Sequence, residues 1–512
     1  MSPIETEAKL TCSTELDERE LLTWLARRAD VSGPVELQQR DLYLDTRADE
    51  LLAAGLAVRV RQSAGVRSLE LKPIPLERAL VVQREEMVLA LRAEEDPGDR
   101  TRAWVLERFG LELSESPREV LTLTTTRRRF GVTVDTTRME LCVDAVAASE
   151  PHGRRASFAE LELELLAGDV AVLKKLAAEL SRRDGLLAAG GTKLERARLA
   201  LGLGGPRHGN KPPPARGDAR LVEAAQQTVG AWWATARGHL PGVMVGLDPE
   251  HVHKMRVAMR RLRTALRVYH EAFDPDLADD FRQRLRAFGR RLGAVRDYDV
   301  QRGALPQWRA RFVGVPRSGW DDVDARLVRR RERARAQVLG EIRSRAWAEL
   351  EQAATRCLGG AQAGLRHTVA AAAPRLVVRR AERARRALSR LRDRGTAEDA
   401  HALRIELKNL RYTLEFFAAV LTPTVEATVE SLAELQEQLG EIQDAVQTGR
   451  LAGELLAMAP LPTSDCAAAL GSIIGYGRAA SQWAAGLALA ACASVELESL
   501  LDGLDRIAAR EP

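Results

Sequence analysis

Two near-copies of one helical pattern, 148 residues apart, constrain this chain more than any other feature. Each copy begins with a histidine, at His253 and at His401, and cations follow three, seven and ten positions later. Positions with that spacing lie on one face of an α-helix, and apolar residues follow a second face. We therefore expect each helix to present an unneutralised basic stripe, which suits a long polyanion. The stripes are His253, Arg256, Arg260 and Arg263 in the first copy and His401, Arg404, Lys408 and Arg411 in the second.

A second sequence echo keeps almost the same spacing. The segment 292–297 recurs as 439–444, with Leu-Gly at the start and Asp at the end of both. From residue 218 onward, long Ala-, Leu- and Arg-rich periodic segments predict helices. The duplication predicts an all-α domain over 218–512 that is built from two pseudo-repeated helical bundles.

Composition sets the class of the protein. A chain of 512 residues with 45% apolar and 29% charged residues is globular and long enough for at least two domains. The five cysteines show no CxxC spacing, so we expect reduced thiols and a cytoplasmic protein. The N-terminus lacks the pattern of a signal peptide. The longest apolar run, 483–495, is shorter than the ~20 residues that span a bilayer, and we expect no membrane segment.

Residues 1–203 differ from the rest, because short segments there alternate between polar and apolar residues. Alternation with a period of two predicts strands of an antiparallel sheet. Helical stretches are predicted at 15–29 and 170–183, and a Gly- and Pro-rich linker is predicted at 204–217. The predicted strands are 5–10, 57–61, 69–72, 81–91, 121–130, 133–135, 141–146 and 158–165.

The polar positions of these strands are organised by the sign of their charge. Carboxylates concentrate on two strands and cations on several others, and such segregation repels itself unless something lies between. A phosphate chain with a divalent metal satisfies both signs, because carboxylate oxygens hold Mg²⁺ or Mn²⁺ while Arg and Lys hold phosphate oxygens. The groups that share a strand face are Glu5, Glu7 and Lys9; Arg59 and Arg61; Glu70 and Lys72; Arg127 and Arg129; and Glu160, Glu162 and Glu164.

In this order, the motifs resemble the CYTH domain, also called the triphosphate tunnel metalloenzyme fold. The first segment, 5–9, reads Glu-Thr-Glu-Ala-Lys and matches the ExExK signature of that family. The signature alone is weak, but the ordered series over about 200 residues is specific. Further matching positions are Tyr43, Asp45, Thr46, Arg59, Arg61, Glu70, Lys72, Arg127, Arg129, Glu160, Glu162, Glu164, Lys193 and Arg196.

The resemblance implies a closed antiparallel β-barrel whose tunnel binds triphosphate. It implies that Glu5, Glu7, Glu160 and Glu162 ligate one or two divalent cations, Mg²⁺ or Mn²⁺. Lys9 faces the tunnel near the bond that breaks, so Lys9, Glu5 and Glu7 are the expected catalytic residues. Glu164 is expected near the tunnel mouth, and 83–86 allows either register for Arg84 and Glu86. The expected triphosphate clamp consists of Arg59, Arg61, Lys72, Arg127, Arg129 and Lys193.

The segments 253–267 and 401–412 resemble the CHAD domain, an α-helical domain associated with binding of inorganic polyphosphate. The resemblance implies that both basic stripes bind polyphosphate. CYTH followed by CHAD is a known arrangement, and bacterial examples are inorganic triphosphatases. The expected fold is therefore α+β, with a CYTH tunnel domain at 1–203 and a CHAD domain at 218–512. The expected reaction is metal-dependent hydrolysis of inorganic triphosphate to diphosphate and phosphate, in the cytoplasm or at polyphosphate granules.

Several alternatives remain open at this point. The tunnel could act on an organic triphosphate such as ATP or thiamine triphosphate, or the chain could be a non-catalytic polyphosphate-granule protein. His253 and His401 could be structural, could contact phosphate, or could ligate a metal. Nucleic acid is a less favoured partner, because the basic stripes lack interleaved aromatic residues for stacking on bases. The sequence does not predict an oligomeric state.

Overall fold

The computed structural model describes residues 4–12, 17–63, 66–76, 79–151, 153–183, 186–188, 191–205, 212–362, 364–421 and 424–509. The chain divides into two compact units. One unit contains Met1–His208 and Gly238–His251, and the other contains Gly209–Arg237 and Val252–Pro512. Within the predicted linker, residues 206–211 lie outside the described residues.

The first unit is built around one antiparallel sheet. The strand order is β10-β1-β9-β8-β7-β2-β3-β4-β6, and β5 pairs with β1. The consecutive strands β5 and β6 pair with β1 and β4 respectively, so together they bring the two edges of the sheet to near closure. The predicted barrel is confirmed. The strands are β1 (Ile4–Cys12), β2 (Asp30–Asp45), β3 (Leu56–Ser63), β4 (Val66–Pro73), β5 (Val81–Glu85), β6 (Met87–Ala90), β7 (Arg118–Val134), β8 (Thr137–Ser149), β9 (Arg155–Ala167) and β10 (Leu186–Ala188).

The hydrophobic core of this unit lies outside the barrel wall. Leu10 and Leu163 point outward from their strands and pack with Leu25 and Leu173, which come from two covering helices. Burial of such side chains contributes about 1.5–3 kcal/mol each. The apolar residues of each strand therefore face outward, and the polar residues that alternate with them line the interior. The helices are α1 (Glu18–Ala26), α2 (Glu50–Ala53), α3 (Pro97–Phe109), α4 (Val170–Leu180) and α5 (Lys193–Ala200).

Five elements within residues 1–203 were absent from the sequence prediction, namely β2, α2, α3, β10 and α5, and β2 and α3 are the longest of them. Strand β2 is 16 residues long, but most of its first half is exposed, so it lacks the apolar alternation that reveals a half-buried strand. Helix α3 lies in the segment that fits the family pattern poorly. It begins with the N-cap Asp96 and ends at Gly110, whose φ is +65°, and its Val105 and Phe109 are buried.

The second unit is helical, as predicted. A short 3₁₀ helix, His270–Ala272, follows α8. Helix α7 lies within Gly238–His251 and therefore belongs to the first unit, although it follows α6 in the chain. The helices of the C-terminal part of the chain are α6 (Leu221–Gly238), α7 (Leu240–Val245), α8 (Pro249–Val268), α9 (Pro275–Arg311), α10 (Arg317–Arg343), α11 (Arg345–Gly359), α12 (Val369–Arg394), α13 (Ala397–Phe416), α14 (Thr424–Leu456), α15 (Ser464–Ser494) and α16 (Leu497–Ala509).

Contacts between repeated positions confirm that the second unit is a duplication with pseudo-twofold symmetry. Gln301 donates a hydrogen bond to Thr448 at 2.7 Å, and Ser318 donates one to Asp465 at 2.6 Å. Both pairs are separated by 147 residues, which is the spacing of the repeat. A residue that contacts its own copy lies near the axis that relates the two copies. That axis therefore runs past α9 and α14 and past α10 and α15.

A test for membrane spans gives a mixed result over the described helices. No single helix is both long enough and apolar enough to cross a bilayer. The bent pair Ser464–Ser494 and Leu497–Arg506 passes when the two helices are taken together, by length and composition only.

Candidate functional site

The interior of the barrel is a cavity of about 260 Å³ whose walls carry charges of both signs. Among the lining residues that the structure describes, three are uncharged, namely Tyr43, Ala57 and Thr192. The charged lining residues are Glu5, Glu7, Lys9, Arg59, Arg61, Lys72, Arg84, Glu86, Arg127, Glu162, Glu164 and Lys193.

One wall of the cavity is an arginine pair held by two carboxylates. Register places Arg59 opposite Glu70 and Arg61 opposite Asp41 on neighbouring strands. Asp41 accepts two hydrogen bonds from Arg61, at 2.9 and 3.0 Å, and Glu70 accepts two from Arg59, at 2.9 and 2.7 Å. Burial alone would raise the pKa of Asp41, but the two guanidinium groups lower it to about 2. These contacts fix both arginines in direction and keep them charged.

The opposite wall is a row of carboxylates on β8 and β9. Asp144 lies opposite Arg127 on one side and opposite Glu160 on the other. Arg127 donates to both oxygens of Asp144, at 2.8 and 2.6 Å, and it also contacts Glu162. Lys193 places its Nζ 2.6 Å from Asp144 and 3.0 Å from Glu160. A capping box that starts α5 positions Lys193 as the first residue of that helix.

The ExExK strand connects these two walls. Lys9 Nζ donates to Glu162 at 2.5 Å and lies 3.5 Å from Glu7. Glu7 pairs with Arg84 on the neighbouring strand, and Glu5 pairs with Lys72 at 2.8 Å. Burial opposes the charge on Lys9, but Glu162 and Glu160 outweigh it, so the pKa of Lys9 is raised.

The donor set of the cavity suits a hard divalent cation. Asp144, Glu160 and Glu162 each offer a carboxylate oxygen, and these oxygens lie within 4.8 Å of one another. Carboxylate oxygens are the ligands that Mg²⁺ and Mn²⁺ prefer. The ammonium of Lys193 lies among the three carboxylates, which shows that this part of the cavity accommodates a cation.

Most of the predicted tunnel residues meet at the cavity, with two exceptions. Glu160 is fully buried behind the lining and pairs with Arg196 at 2.7 Å. Arg129 is farther along β7, is 38% exposed and lies 3.5 Å from Glu140. The structure also settles one open register, because Arg84 and Glu86 both line the cavity.

Two buried carboxylates that bind cations of the cavity lining were absent from the sequence prediction. Asp41 and Asp144 are 2% and 0% exposed, respectively. Asp41 shares a strand face with Tyr43, and Asp144 shares one with Cys142. Neither acid has a second charged residue two positions away on its own strand, and the rule that found repeated like charges at that spacing passed over both. A search for inward positions next to the predicted arginines would have found them.

One residue of the cavity has an unusual titration. Burial, followed by the neighbouring Glu5, raises the pKa of Glu164 to about 7. The sequence prediction placed Glu164 near the mouth of the tunnel, and the structure places it among the residues that line the cavity.

In the helical unit, the two predicted basic stripes lie side by side. Thr264 donates a hydrogen bond to Asn409 at 3.0 Å, and Arg260 donates one to the Tyr412 hydroxyl at 3.3 Å. These contacts join α8 to α13, so the cations of the two repeats share one surface. The pKa of Lys408 reports their proximity, because burial and then Arg260, Arg404 and Arg411 lower it to about 7.

Most cations of this surface lack a carboxylate partner. Arg256 lies 3.6 Å from Asp297, and Arg411 lies 3.4 Å from Glu415. Among the described residues, no ion pair joins Arg260, Arg263, Arg404 or Lys408 to an acid. Burial and the neighbouring Arg267 lower the pKa of Arg263 to about 10. The surface therefore holds positive charge that an external anion would stabilise.

The two histidines are surrounded by these cations. Burial, then Arg296 and Lys254, lowers the pKa of His253 to about 4. Burial also lowers the pKa of His401, and a hydrogen bond with Gln443 opposes the shift. Both rings are consequently neutral at pH 7 in the absence of an anion.

Comparison with known proteins assigns each half of the chain. The pattern of the CYTH domain matches residues 3–197, and the pattern of the CHAD domain matches residues 227–453. Among curated proteins, the comparison finds no relative that matches the sequence.

Solved structures resemble one half or the other. The CHAD domain from the plant Ricinus communis is 27% identical, with a TM-score of 0.43, and covers 57% of this chain and 94% of its own. PptA from Streptomyces chartreusis is 17% identical, with a TM-score of 0.42, and covers 53% and 99%. HpAC1 from Hippeastrum, which is described as having a dominant triphosphatase activity, is 20% identical, with a TM-score of 0.28, and covers 40% and 98%. The chain is thus a two-domain protein in which a CYTH domain is followed by a CHAD domain.

Proposed function

We propose that the barrel hydrolyses inorganic triphosphate to diphosphate and phosphate with the help of Mg²⁺ or Mn²⁺. The observation that carries this proposal is the lining of the cavity, which offers phosphate-binding cations and metal-binding carboxylates but little else. Tyr43 is the only aromatic residue among the described lining residues, and its hydroxyl lies 3.5 Å from Arg59. A nucleotide or thiamine needs a surface for its ring, so the lining favours an inorganic substrate.

In this proposal, the cations and the carboxylates of the cavity have separate roles. Arg59, Arg61, Lys72 and Arg127 would bind the phosphate oxygens and stabilise the leaving diphosphate. Glu5, Glu7, Glu160 and Glu162, together with Asp144, would hold the divalent cation. When bound, that cation would polarise the terminal phosphoryl group and activate a water molecule.

The network of ion pairs allows an exchange of partners when substrate enters. Arg127 and Lys193 neutralise carboxylates in the free protein, and each could turn to a phosphate oxygen as a divalent cation takes its place. In the reaction, the oxygen of water bonds to the terminal phosphorus and the bridging P–O bond breaks. The bridging oxygen leaves with the diphosphate, and the proton of water passes to a carboxylate of the wall or to solvent.

We further propose that the α8–α13 surface binds inorganic polyphosphate through Arg256, Arg260, Arg263, Arg404, Lys408 and Arg411. The support is electrostatic, because these cations adjoin one another with few carboxylates between them. A polyphosphate chain would neutralise them and would allow His253 and His401 to protonate and contact phosphate. This binding would bring the enzyme to a store of polyphosphate in the cytoplasm.

The first experiment is phosphate release from inorganic triphosphate with Mg²⁺ or Mn²⁺, with ATP and long-chain polyphosphate assayed in parallel. Fast release from triphosphate that EDTA stops would support the proposal. Turnover of ATP alone would assign an organic substrate. No turnover on any substrate, with retention of polyphosphate, would leave a binding protein without triphosphatase activity.

A further inference from the structure

Helices α8, α9 and α12 enclose a cleft of about 970 Å³ whose walls carry nine arginines. Two of them, Arg282 and Arg284, pair with neighbouring aspartates. The remaining seven form no ion pair with any described residue. The sequence prediction included Arg263, at the edge of this cleft.

The deepest of these arginines shows that the cleft is built for a charged ligand. Arg380 is 5% exposed, and its Nη1 has no hydrogen-bond partner in the part of the chain that the structure describes. A buried guanidinium without a partner costs free energy that a bound anion recovers. Arg379 donates to the His270 ring at 3.1 Å, which leaves its charge uncompensated.

The cleft continues the basic surface of α8. Arg263 belongs to both, and Arg267 follows it one turn later on the same wall. From His253 to Arg267 the helix rises about 21 Å, since each of the 14 residues adds about 1.5 Å. A linear anion that lies along α8 would therefore reach the cleft at the C-terminal end of the helix.

At the corresponding described positions of the other repeat, most arginines of the cleft are replaced by other residues. The repeat spacing of 147 residues maps Arg286 onto Ala433 and Arg290 onto Glu437. On α12, which forms the third wall of the cleft, Arg380 corresponds to Trp232, which lies 148 residues earlier. The fold repeats here, but the charge does not.

One position decides where the basic surface of the second copy ends. The counterpart of Arg267 is Glu415, 148 residues later. Glu415 pairs with Arg261 and lies 3.4 Å from Arg411, so it neutralises the cations at this end. Arg261 is further held over the ring of Tyr412, at 4.3 Å from its centre.

We propose that the helical unit binds a linear polyphosphate asymmetrically, through a site that extends past Arg267 into the arginine cleft and is closed by Glu415 at the opposite end. The inference rests on the proposed polyphosphate binding and adds the extent and the asymmetry of the site. If the charges followed the pseudo-twofold symmetry of the fold, the two ends of the basic surface would be equivalent.

The test compares two double variants with the same change in net charge. Arg286→Gln with Arg290→Gln removes two exposed arginines from the cleft, and Arg329→Gln with Arg333→Gln removes two exposed arginines of α10 outside it. Binding of long-chain linear polyphosphate to the full-length protein is measured over a range of salt concentrations in metal-free buffer. Each lost phosphate contact should lower the slope of log affinity against log salt by about 0.7. We expect the cleft variant to lose roughly 1.4 and the control much less.

A second pair of variants tests whether the binding site is asymmetric. Arg267→Gln should weaken binding, and Glu415→Gln, which frees Arg261 and Arg411, should strengthen it. Circular dichroism checks that Glu415→Gln is folded, and the double variants decide the question if it is not. Equal losses in both double variants, or no loss in the cleft variant, would overturn the inference while polyphosphate binding stands. Failure of the unaltered protein to bind polyphosphate would instead remove the proposed function of the unit.

Discussion

In the barrel, Arg127 and Lys193 lie against buried carboxylates, whereas in the helical unit Arg260, Arg263 and Lys408 form no ion pair with a described residue. The two regions are both rich in cations but differ in what neutralises them. Neighbouring acids raise the pKa of Lys193 against the effect of burial, while neighbouring cations add to burial and lower the pKa of Lys408 to about 7.

The difference indicates two ways of preparing a protein for phosphate. The barrel carries the counter-charges inside its own wall, so cations and carboxylates are already oriented before substrate and metal arrive. The helical surface has few counter-charges of its own, and the proposed polyphosphate ligand would supply them and relieve the repulsion among its cations. The first arrangement favours chemistry on a short substrate, and the second favours retention of a long one.

The largest expected effect separates the two functions. Glu5→Gln with Glu7→Gln should lower triphosphate hydrolysis on the order of 10³-fold, because the variant loses two carboxylates that we propose as metal ligands. Retention on immobilised polyphosphate should be unchanged. Glu36→Gln, on an exposed part of β2, is the matched control and should retain activity. Loss of both activities in the double variant would refute the division of labour.

The next prediction compares how substitutions in the two regions change the free energy of unfolding. Asp41→Asn removes the partner of Arg59 and Arg61 and should destabilise the barrel by about 2 kcal/mol, which corresponds to the shift of its pKa from 3.8 to about 2. Since the folded-state pKa is depressed, this stabilisation is present above pH 3.8 and is lost as the pH falls toward 2. Arg263→Gln, by contrast, relieves repulsion and should leave stability unchanged or slightly higher.

Scanning calorimetry would measure both variants, with Asp30→Asn as the exposed control for the first. A destabilisation by Arg263→Gln as large as that by Asp41→Asn would show that the helical cations are also satisfied internally. The contrast between the regions would then fail.

Substitutions in the two basic stripes should lower the affinity for polyphosphate by a smaller factor. Arg256→Ala and Arg404→Ala should each weaken binding roughly tenfold, since a charge-assisted contact contributes about 1.5–3 kcal/mol. Hydrolysis of triphosphate should be retained in the double variant. Filter binding over a salt series measures the loss, and the effect should be similar for the two positions because the repeat places them symmetrically.

The smallest expected effect is the uptake of a proton when polyphosphate binds. With a pKa of about 7, Lys408 is mostly neutral at pH 8 in the free protein, and a bound polyanion would return it to the protonated form. Binding at pH 8 should therefore take up close to one proton, and affinity should fall as the pH rises above 7. Calorimetry in buffers of different ionisation enthalpy measures this uptake.

Lys408→Arg provides the control for this prediction, because a guanidinium stays charged throughout that range. The variant should bind polyphosphate without the uptake from this residue. An unchanged uptake in Lys408→Arg would assign the proton to another group, such as His253.

The extent to which the sequence predicted the site differs between the regions. In the barrel, repeated charges at a period of two identified Glu5, Arg59 and Arg127 correctly as residues of one inner face. Asp41 and Asp144 were missed because no charged residue lies two positions away on the same strand, and the arginines that they bind lie on neighbouring strands.

The sequence by itself determined the division into a strand-rich and a helical region, most of the inward charges of the barrel and the duplication of the helical unit. These follow from periodicity, which is a local property of the chain. Only the tertiary structure decided that Asp144, Glu160 and Glu162 converge, that α8 and α13 share one basic surface, and that Arg267 opens onto a cleft while Glu415 closes its copy. The reason is physical: whether a charge is neutralised depends on distances of a few ångströms between residues far apart in the chain, and those distances exist only after folding.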